Sequence, residues 1–192
     1  TLLGFAPLSA LYVAITLSFS SGRDNFGGTL KTLSRRKDMA FDLLRMALTE
    51  PRFDAEAVNR MRAANVMRLR SSLTDPEWMA ARVLNDIAFA GHPYAQNSGG
   101  TLTTLAAITP DDLKNFAAAR LGRDNLLIAV TGDISPADLA ALLDRTFGAL
   151  PEKAQTPGIA DHAVKGGGKT VLFEKDIPQT IISLMQPGIG RG

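Results

Sequence analysis

The stretch ITPDDLKNFAAARLGRDNLLIAVTGDISPADLAALLDRTFGALP, residues 108–151, fixes the fold reading more firmly than any other part of the chain. It contains one start signal twice. In each copy a hydroxyl residue (Thr109, Ser135) precedes a proline (Pro110, Pro136), and an aspartate follows three residues after the hydroxyl (Asp112, Asp138). The hydroxyl accepts orphan backbone N–H groups of a first helical turn, proline suits the first helical position, and the carboxylate meets the positive helix end. Each signal opens an amphipathic run: Leu113, Phe116, Ala117 and Leu121 in the first, and Leu139, Leu142, Leu143 and Phe147 in the second. Between them NLLIAV, residues 125–130, is a short apolar run bounded by turn residues, the pattern of a buried strand. The order is therefore helix, strand, helix.

Upstream of this block, AITLSF (14–19) alternates Ile15, Leu17 and Phe19 with Thr16 and Ser18, the period of a half-buried strand. SGRDN supplies a turn and FGGTLKTL returns as a second strand, which makes a hairpin. Lys37 to Glu50 sets Ala40, Leu43, Leu44, Ala47 and Leu48 at helical spacing, and Pro51 ends that helix. Asp54 caps a second helix that runs toward Leu73. Thr74 or Asp75, followed by Pro76, starts a third with Trp78, Val83 and Ile87 among its apolar residues, and Gly91-His92-Pro93-Tyr94 breaks it. Downstream, the stretch from Pro151 to Gly168 turns to Pro, Gly, Ala and Lys, the composition of a linker. KTVLFEK (169–175) and QTIISLM (179–185) then read as two strands.

The chain has 192 residues, 45% of them hydrophobic and 21% charged, which is the composition of a globular protein rather than a disordered one. A net charge of +2 is too small to imply a polyanionic partner. No cysteine is present, so disulfides, Cys-based zinc sites and thiol nucleophiles are excluded together. No apolar run reaches the roughly 18 residues of a membrane span. The opening TLLGFAPLSALYVAITLSF is apolar but lacks the basic start of a signal peptide and carries Gly4 and Pro7. The chain begins on Thr1 and stops at QPGIGRG, straight after a strand-like run, which reads as an internal fragment of a longer protein.

The search for chemistry is mostly negative. The histidines, His92 in a turn and His162 in the linker, are far apart in sequence, and neither has a second histidine within a helical turn, so no His-based zinc cluster is expected. The glycine runs 27–28, 99–100 and 166–168 lack phosphate-loop spacing. Asp111 and Asp112 sit at a helix start, where capping explains them better than a catalytic dyad does. RMRAANVMRLR, residues 60–70, holds four arginines. At about 100° per residue, with Arg60 at zero, Arg62 falls near 200°, Arg68 near 80° and Arg70 near 280°. They point all round the helix and no aromatic is interleaved, so no nucleic-acid stripe is present. Val58, Met61, Asn65 and Leu69 line the expected buried arc, with Arg68 at its edge.

The 108–151 block resembles the pitrilysin/insulinase family of zinc metallopeptidases, which includes the mitochondrial processing peptidase and inactive relatives. The shared features are the TP-D-L helix start, the DN-hydrophobic strand ending in GD, and the amphipathic helix closing on FG-x-LP. LTEPRFDAEAVNRMRAANVMRLRSSLTDPEWMA (48–80) resembles the family's P-x-F helix followed by a DP helix, and FAGHPYAQNSGG (89–100) its HPY loop. The resemblance implies an α+β fold of the metallopeptidase-half type: a mixed, mainly antiparallel sheet with helices packed on one face. It implies that residues 1–151 are the C-terminal portion of a first insulinase-like domain, 152–168 a linker, and 169–192 the first strands of a second homologous domain.

Active members hold zinc with an H-x-x-E-H motif, which would lie upstream of Thr1, and with a glutamate on a later helix. Counted from Phe53, the family's two helix glutamates fall at Met61, the supporting acid, and Arg68, the zinc ligand. Glu56 and Glu77 are the nearest glutamates and are out of register. A guanidinium has no lone pair to give and stays charged at working pH. The resemblance therefore implies a noncatalytic half with no catalytic residue, metal ligand or cofactor of its own. Zinc is expected only in an active homologous partner subunit, with which it would enclose a chamber for peptide substrates. Neither nucleic acid nor a membrane span is expected, and the bacterial relatives suggest the periplasm. Two other readings stand beside this one: an active zinc endopeptidase with H-x-x-E-H upstream, and a structural scaffold subunit of a larger assembly.

Overall fold

The computed structural model describes residues 14–189. The expectations that concern residues 1–13 and 190–192 lie outside that range. Two strands and six α-helices follow in order: β1 (Ile15–Ser21), β2 (Phe26–Thr32), α1 (Lys37–Thr49), α2 (Ala55–Ser72), α3 (Pro76–Ala88), α4 (Leu102–Ala107), α5 (Pro110–Arg120) and α6 (Pro136–Phe147). Single 3-10 turns occupy Ser34–Arg36 and Pro93–Ala95. The chain divides into two compact units, Thr1–Met61 with Ile108–Pro157 and Arg62–Ala107 with Gly158–Gly192.

In the first unit β1 and β2 form an antiparallel hairpin in which Ile15 faces Thr32, Leu17 faces Leu30 and Phe19 faces Gly28. The alternation read from the sequence is present: Ile15 is buried and Leu17 and Phe19 half-buried, while Thr16 and Ser18 are exposed. Near the turn Phe19 stacks on Phe26 with ring centroids 5.5 Å apart. Helix α1 packs against β2 and α6. Ala40 and Ala47, two turns apart on one face, are fully buried there, as is Thr146 on α6, and Leu142 is buried beside it. Small residues on α1 let α6 approach closely. Among the described residues Thr146 is the one buried polar side chain in this core, and its hydroxyl donates to the Leu142 carbonyl at 2.7 Å. That bond removes the cost of a buried unpaired hydroxyl.

Both helix starts of the 108–151 block are built as expected. Thr109 and Asp112 form a reciprocal capping box: the hydroxyl accepts from the Asp112 N–H at 3.2 Å and the carboxylate accepts from the Thr109 N–H at 2.8 Å. Ser135 accepts from the Asp138 N–H at 3.1 Å. The Thr109 hydroxyl, then its backbone N–H, holds the Asp112 carboxyl below its ordinary value of 3.8, and Lys37, then Ser135, does the same for Asp138. A depressed carboxylate adds stability that is present above the unfolded value and lost as pH falls through the folded one. Both caps should therefore weaken below pH 3.8. Replacing Thr109 with alanine should cost about 1 kcal/mol and lower Tm by about 2–4 °C. The same variant should show a shallower loss of stability in acid, as measured by thermal melts between neutral pH and the acid range.

Two expectations about this unit need correction. Asn125–Val130 forms no strand: the run has no ladder partners among the described residues, and Leu127 is 96% exposed. Phe116, expected on the buried face of α5, is 63% exposed and lies under the Arg120 guanidinium, 5.7 Å from the ring centroid. In the second unit KTVLFEK and QTIISLM are likewise not paired as strands, with Leu172, Ile182 and Leu184 about four-fifths exposed. The mixed sheet expected from the sequence is thus a two-stranded antiparallel hairpin among the described residues. A strand exists only through its ladder, and among the described residues no third strand lies beside these runs to supply one.

Candidate functional site

Helix α2 carries the two positions singled out in the sequence. It enters through Phe53, which is buried with φ at 48°, in the left-handed region that bulky side chains rarely adopt. Leu69 is the buried residue of α2, and Val58, Met61 and Asn65 are half-buried, so the arc expected to face inward does so. Arg68 is exposed, at the edge of that arc, and makes no ion pair among the described residues. Arg60 pairs with Glu56 one turn earlier at 3.7 Å. Met61 and Arg68 are seven residues apart, which places them about 20° from each other on the helix. They share a face, as two acids acting on one metal would need to.

The residues present do not fit a zinc ion. A thioether is a soft, weak donor and a guanidinium none at all, whereas zinc takes imidazole, thiolate or carboxylate. No group of three His, Cys, Asp or Glu able to hold a metal occurs among the described residues. No helix among them is long and apolar enough to cross a membrane.

Two clusters escaped the sequence reading. In the first unit Lys37 and Arg145 meet three carboxylates around a shallow hollow between α1 and α6. Lys37 pairs with Asp138 at 3.2 Å, and Arg145 reaches Asp42 at 3.3 Å and Asp38 at 3.4 Å. All are at least partly exposed, so the cluster fastens two helices at the surface and adds little energy. Charges on α1 and α6 that are remote in sequence leave no local signal of this.

The second cluster corrects the reading that kept the histidines apart. In the second unit the His92 and His162 rings lie 4.9 Å apart, with Phe89 5.6 Å from His162 and Tyr94 edge-on to His92 at 4.9 Å. The Nε2 atom of His92 is 2.9 Å from the Ala160 carbonyl, and that of His162 is 2.9 Å from the Ala88 carbonyl. A carbonyl only accepts, so both Nε2 atoms carry protons. The Nδ1 of His92 accepts from the Tyr94 N–H at 3.2 Å, capping the 3-10 turn. With three of their four ring nitrogens committed to backbone, the pair is not a metal site.

Residues 107–191 match the family model of the peptidase M16 inactive domain. Over 185 residues the chain is 26% identical to the non-peptidase homolog YmxG of Helicobacter pylori, covering 96% of this chain and 42% of that protein. It thus spans less than half the length of that relative. Among solved structures it resembles the peptidase M16 inactive domain from Pseudomonas fluorescens, with a TM-score of 0.72 and 24% identity over 78% of this chain and 37% of that one. It also resembles the first half of the periplasmic protease PqqL from Escherichia coli, with a TM-score of 0.59 and 18% identity over 76% of this chain and 32% of that one. These likenesses establish the α+β fold of the M16 domain.

Proposed function

Starting from a chain that is a homologue of the M16 (pitrilysin/insulinase) peptidases and matches their inactive domain over residues 107–191, we propose that it is a noncatalytic wall of a peptide-binding chamber. An active, zinc-bearing homologous subunit completes that chamber. The observation that carries the reading is the pair on α2. On the register that the family resemblance implies, counted from Phe53, Met61 and Arg68 take the places of an active relative's two acids, and neither can serve zinc. The relationship to a non-peptidase homolog points the same way.

The same reading makes residues 1–151 the end of a first M16 domain, 152–168 its linker, and 169–192 the first strands of a second. The exposed apolar runs at 125–130, 169–175 and 179–185 are then strands whose ladder partners come from elsewhere in the full-length protein. A likeness of fold to a periplasmic protease supports a periplasmic address.

The test uses the full-length protein, purified alone and together with an active M16 subunit from the same cell. Alone, it is expected to hold substoichiometric zinc and to cleave no peptide. The mixture is expected to cleave. Stoichiometric, tightly held zinc in the lone protein would overturn the proposal in favour of an active endopeptidase. A mixture no more active than the partner alone would leave the scaffold role as the better account.

A further inference from the structure

We infer that the exposed face of α2 in the second unit is a receptor for acidic peptide segments, so that the chamber selects substrates rich in aspartate and glutamate. Its role in a chamber rests on the reading proposed above, and its chemistry comes from the helix itself.

Viewed down the axis, with Arg60 at zero and about 100° per residue, residues 62–71 divide cleanly. Arg70 falls near 280°, Ala63 near 300°, Met67 near 340°, Ser71 near 20°, Ala64 near 40° and Arg68 near 80°. All six are exposed, whereas Arg62, Asn65, Val66 and Leu69, on the opposite arc, are buried or half-buried. The whole stretch belongs to the second unit. Its exposed half is a strip with a guanidinium on each border. Between the borders two alanines and a serine keep the floor low, and Met67, 67% exposed, offers a flexible apolar contact. From Ala63 to Ser71 the strip is about 12 Å long, the reach of about four residues of extended chain.

The two border arginines differ from the other helical guanidiniums in having no partner. Arg45 is paired to Glu50, Arg60 to Glu56, Arg82 to Asp86, and Arg145 to Asp38 and Asp42, while Arg120 donates to the Gln155 carbonyl. Arg68 and Arg70 make neither an ion pair nor a side-chain hydrogen bond among the described residues. The acids nearest in sequence are already engaged. Glu56 holds Arg60, and Asp75 accepts from the Glu77 N–H at 2.9 Å as the cap of α3. The strip therefore presents two positive forks and no carboxylate. A planar guanidinium takes a carboxylate through two parallel hydrogen bonds. The complement is a short extended segment with acidic side chains on either side of an apolar one. Nucleic acid is a poorer complement, because no aromatic stands on this strip to stack against a base.

The test titrates the full-length protein with fluorescein-labelled Gly-Glu-Leu-Glu-Gly-Glu-Leu-Glu, and with the same peptide carrying glutamine for glutamate, read by fluorescence anisotropy. At low salt the acidic peptide is expected to bind about tenfold more tightly, and the preference to shrink as salt rises. Arg68→Gln and Arg70→Gln, both on exposed helix positions where glutamine is well tolerated, should each weaken binding about threefold and together remove most of the preference. Arg35→Gln takes the same charge from an exposed turn of the first unit and should leave the affinity unchanged. Equal binding of the two peptides would overturn the inference, as would a preference that survives the double variant. An equal loss in Arg35→Gln would overturn it in favour of net charge, and tighter binding of an oligonucleotide of equal charge in favour of nucleic acid. Cleavage by the mixture with an active subunit keeps the two readings apart. A mixture that cleaves both peptides equally well refutes acidic selection and leaves the chamber standing. A binding preference with no gain in cleavage refutes the chamber and leaves the α2 face standing.

Discussion

Replacing Phe53 with alanine should destabilise the first unit by about 3–5 kcal/mol, the cost of deleting a buried aromatic side chain. Phe53 is 8% exposed, and it is held at φ 48°. A non-glycine residue in that region carries roughly 1–3 kcal/mol of strain. The conformation persists because burying the ring outweighs the strain, and it does so at the single joint between α1 and α2, after Pro51 has stopped the first helix and before Ala55 starts the second. Alanine loses the ring and keeps the strain. Glycine loses the ring and is free of it. The usual order of the two residues should therefore invert, with Phe53→Gly about 1 kcal/mol more stable than Phe53→Ala. Urea unfolding followed by far-ultraviolet circular dichroism reads both numbers. An alanine variant within 1 kcal/mol of the wild type would mean that the ring is not packed, and a glycine variant weaker than alanine would mean that the backbone is not left-handed. The joint also matters for the site, because the register that assigns Met61 and Arg68 is counted from Phe53.

How much of this could be read in advance follows the range of the forces involved. The helices were legible because their signals are local. The hydroxyl, proline and aspartate of each cap lie within four residues, and the buried faces of α1 and α6 follow from spacing alone. Thr146 was missed on an otherwise correct face because its polarity argued against burial. Its partner, the Leu142 carbonyl, lies one turn back and is available only once the helix exists. The hairpin was legible because β1 and β2 are joined by a short turn closed by the Gly22 N–H on the Asn25 carbonyl. The runs at 125–130 and 169–185 have the composition of strands, but a ladder depends on a neighbour that composition does not name. The histidine pair was illegible for the same reason. Its parts lie in a turn and a linker, and only the path of residues 158–165 along the end of α3 brings them together. Gly122 shows the same effect on a small scale: it is buried because Ala154 of the segment after α6 passes against its Cα, too close for a side chain. For the candidate site, the residue types of α2 came from the sequence, their register is what the family resemblance implies, and the structure supplied their exposure.

In a full-length background with an intact upstream H-x-x-E-H, Arg68→Glu should strengthen zinc binding by at least about 100-fold over the arginine form, which is the scale of restoring one carboxylate to an incomplete site. On the proposed register the wild-type guanidinium would oppose the metal in two separable ways. It contributes no lone pair, and it brings charge: +1 held about 4 Å from +2, at an effective dielectric near 20, is unfavourable by about 8 kcal/mol before the side chain relaxes. Arg68 is exposed, so it can swing into water and shed most of that repulsion, but the missing ligand cannot be recovered by any rotamer. The lack of a donor should therefore dominate, and a graded series separates the two effects. Arg68→Ala removes the charge alone and should recover only a minor part of the affinity. Arg68→Gln offers a neutral oxygen and should fall between alanine and glutamate. Adding Met61→Glu to Arg68→Glu restores the supporting acid two turns away on the same face and should tighten binding by about a further 10- to 100-fold. Competition with a chromogenic chelator measures the whole series. If alanine recovers as much as glutamate, charge rather than ligation was the obstacle. If arginine binds as tightly as glutamate, position 68 does not face the metal, and the register counted from Phe53 is wrong.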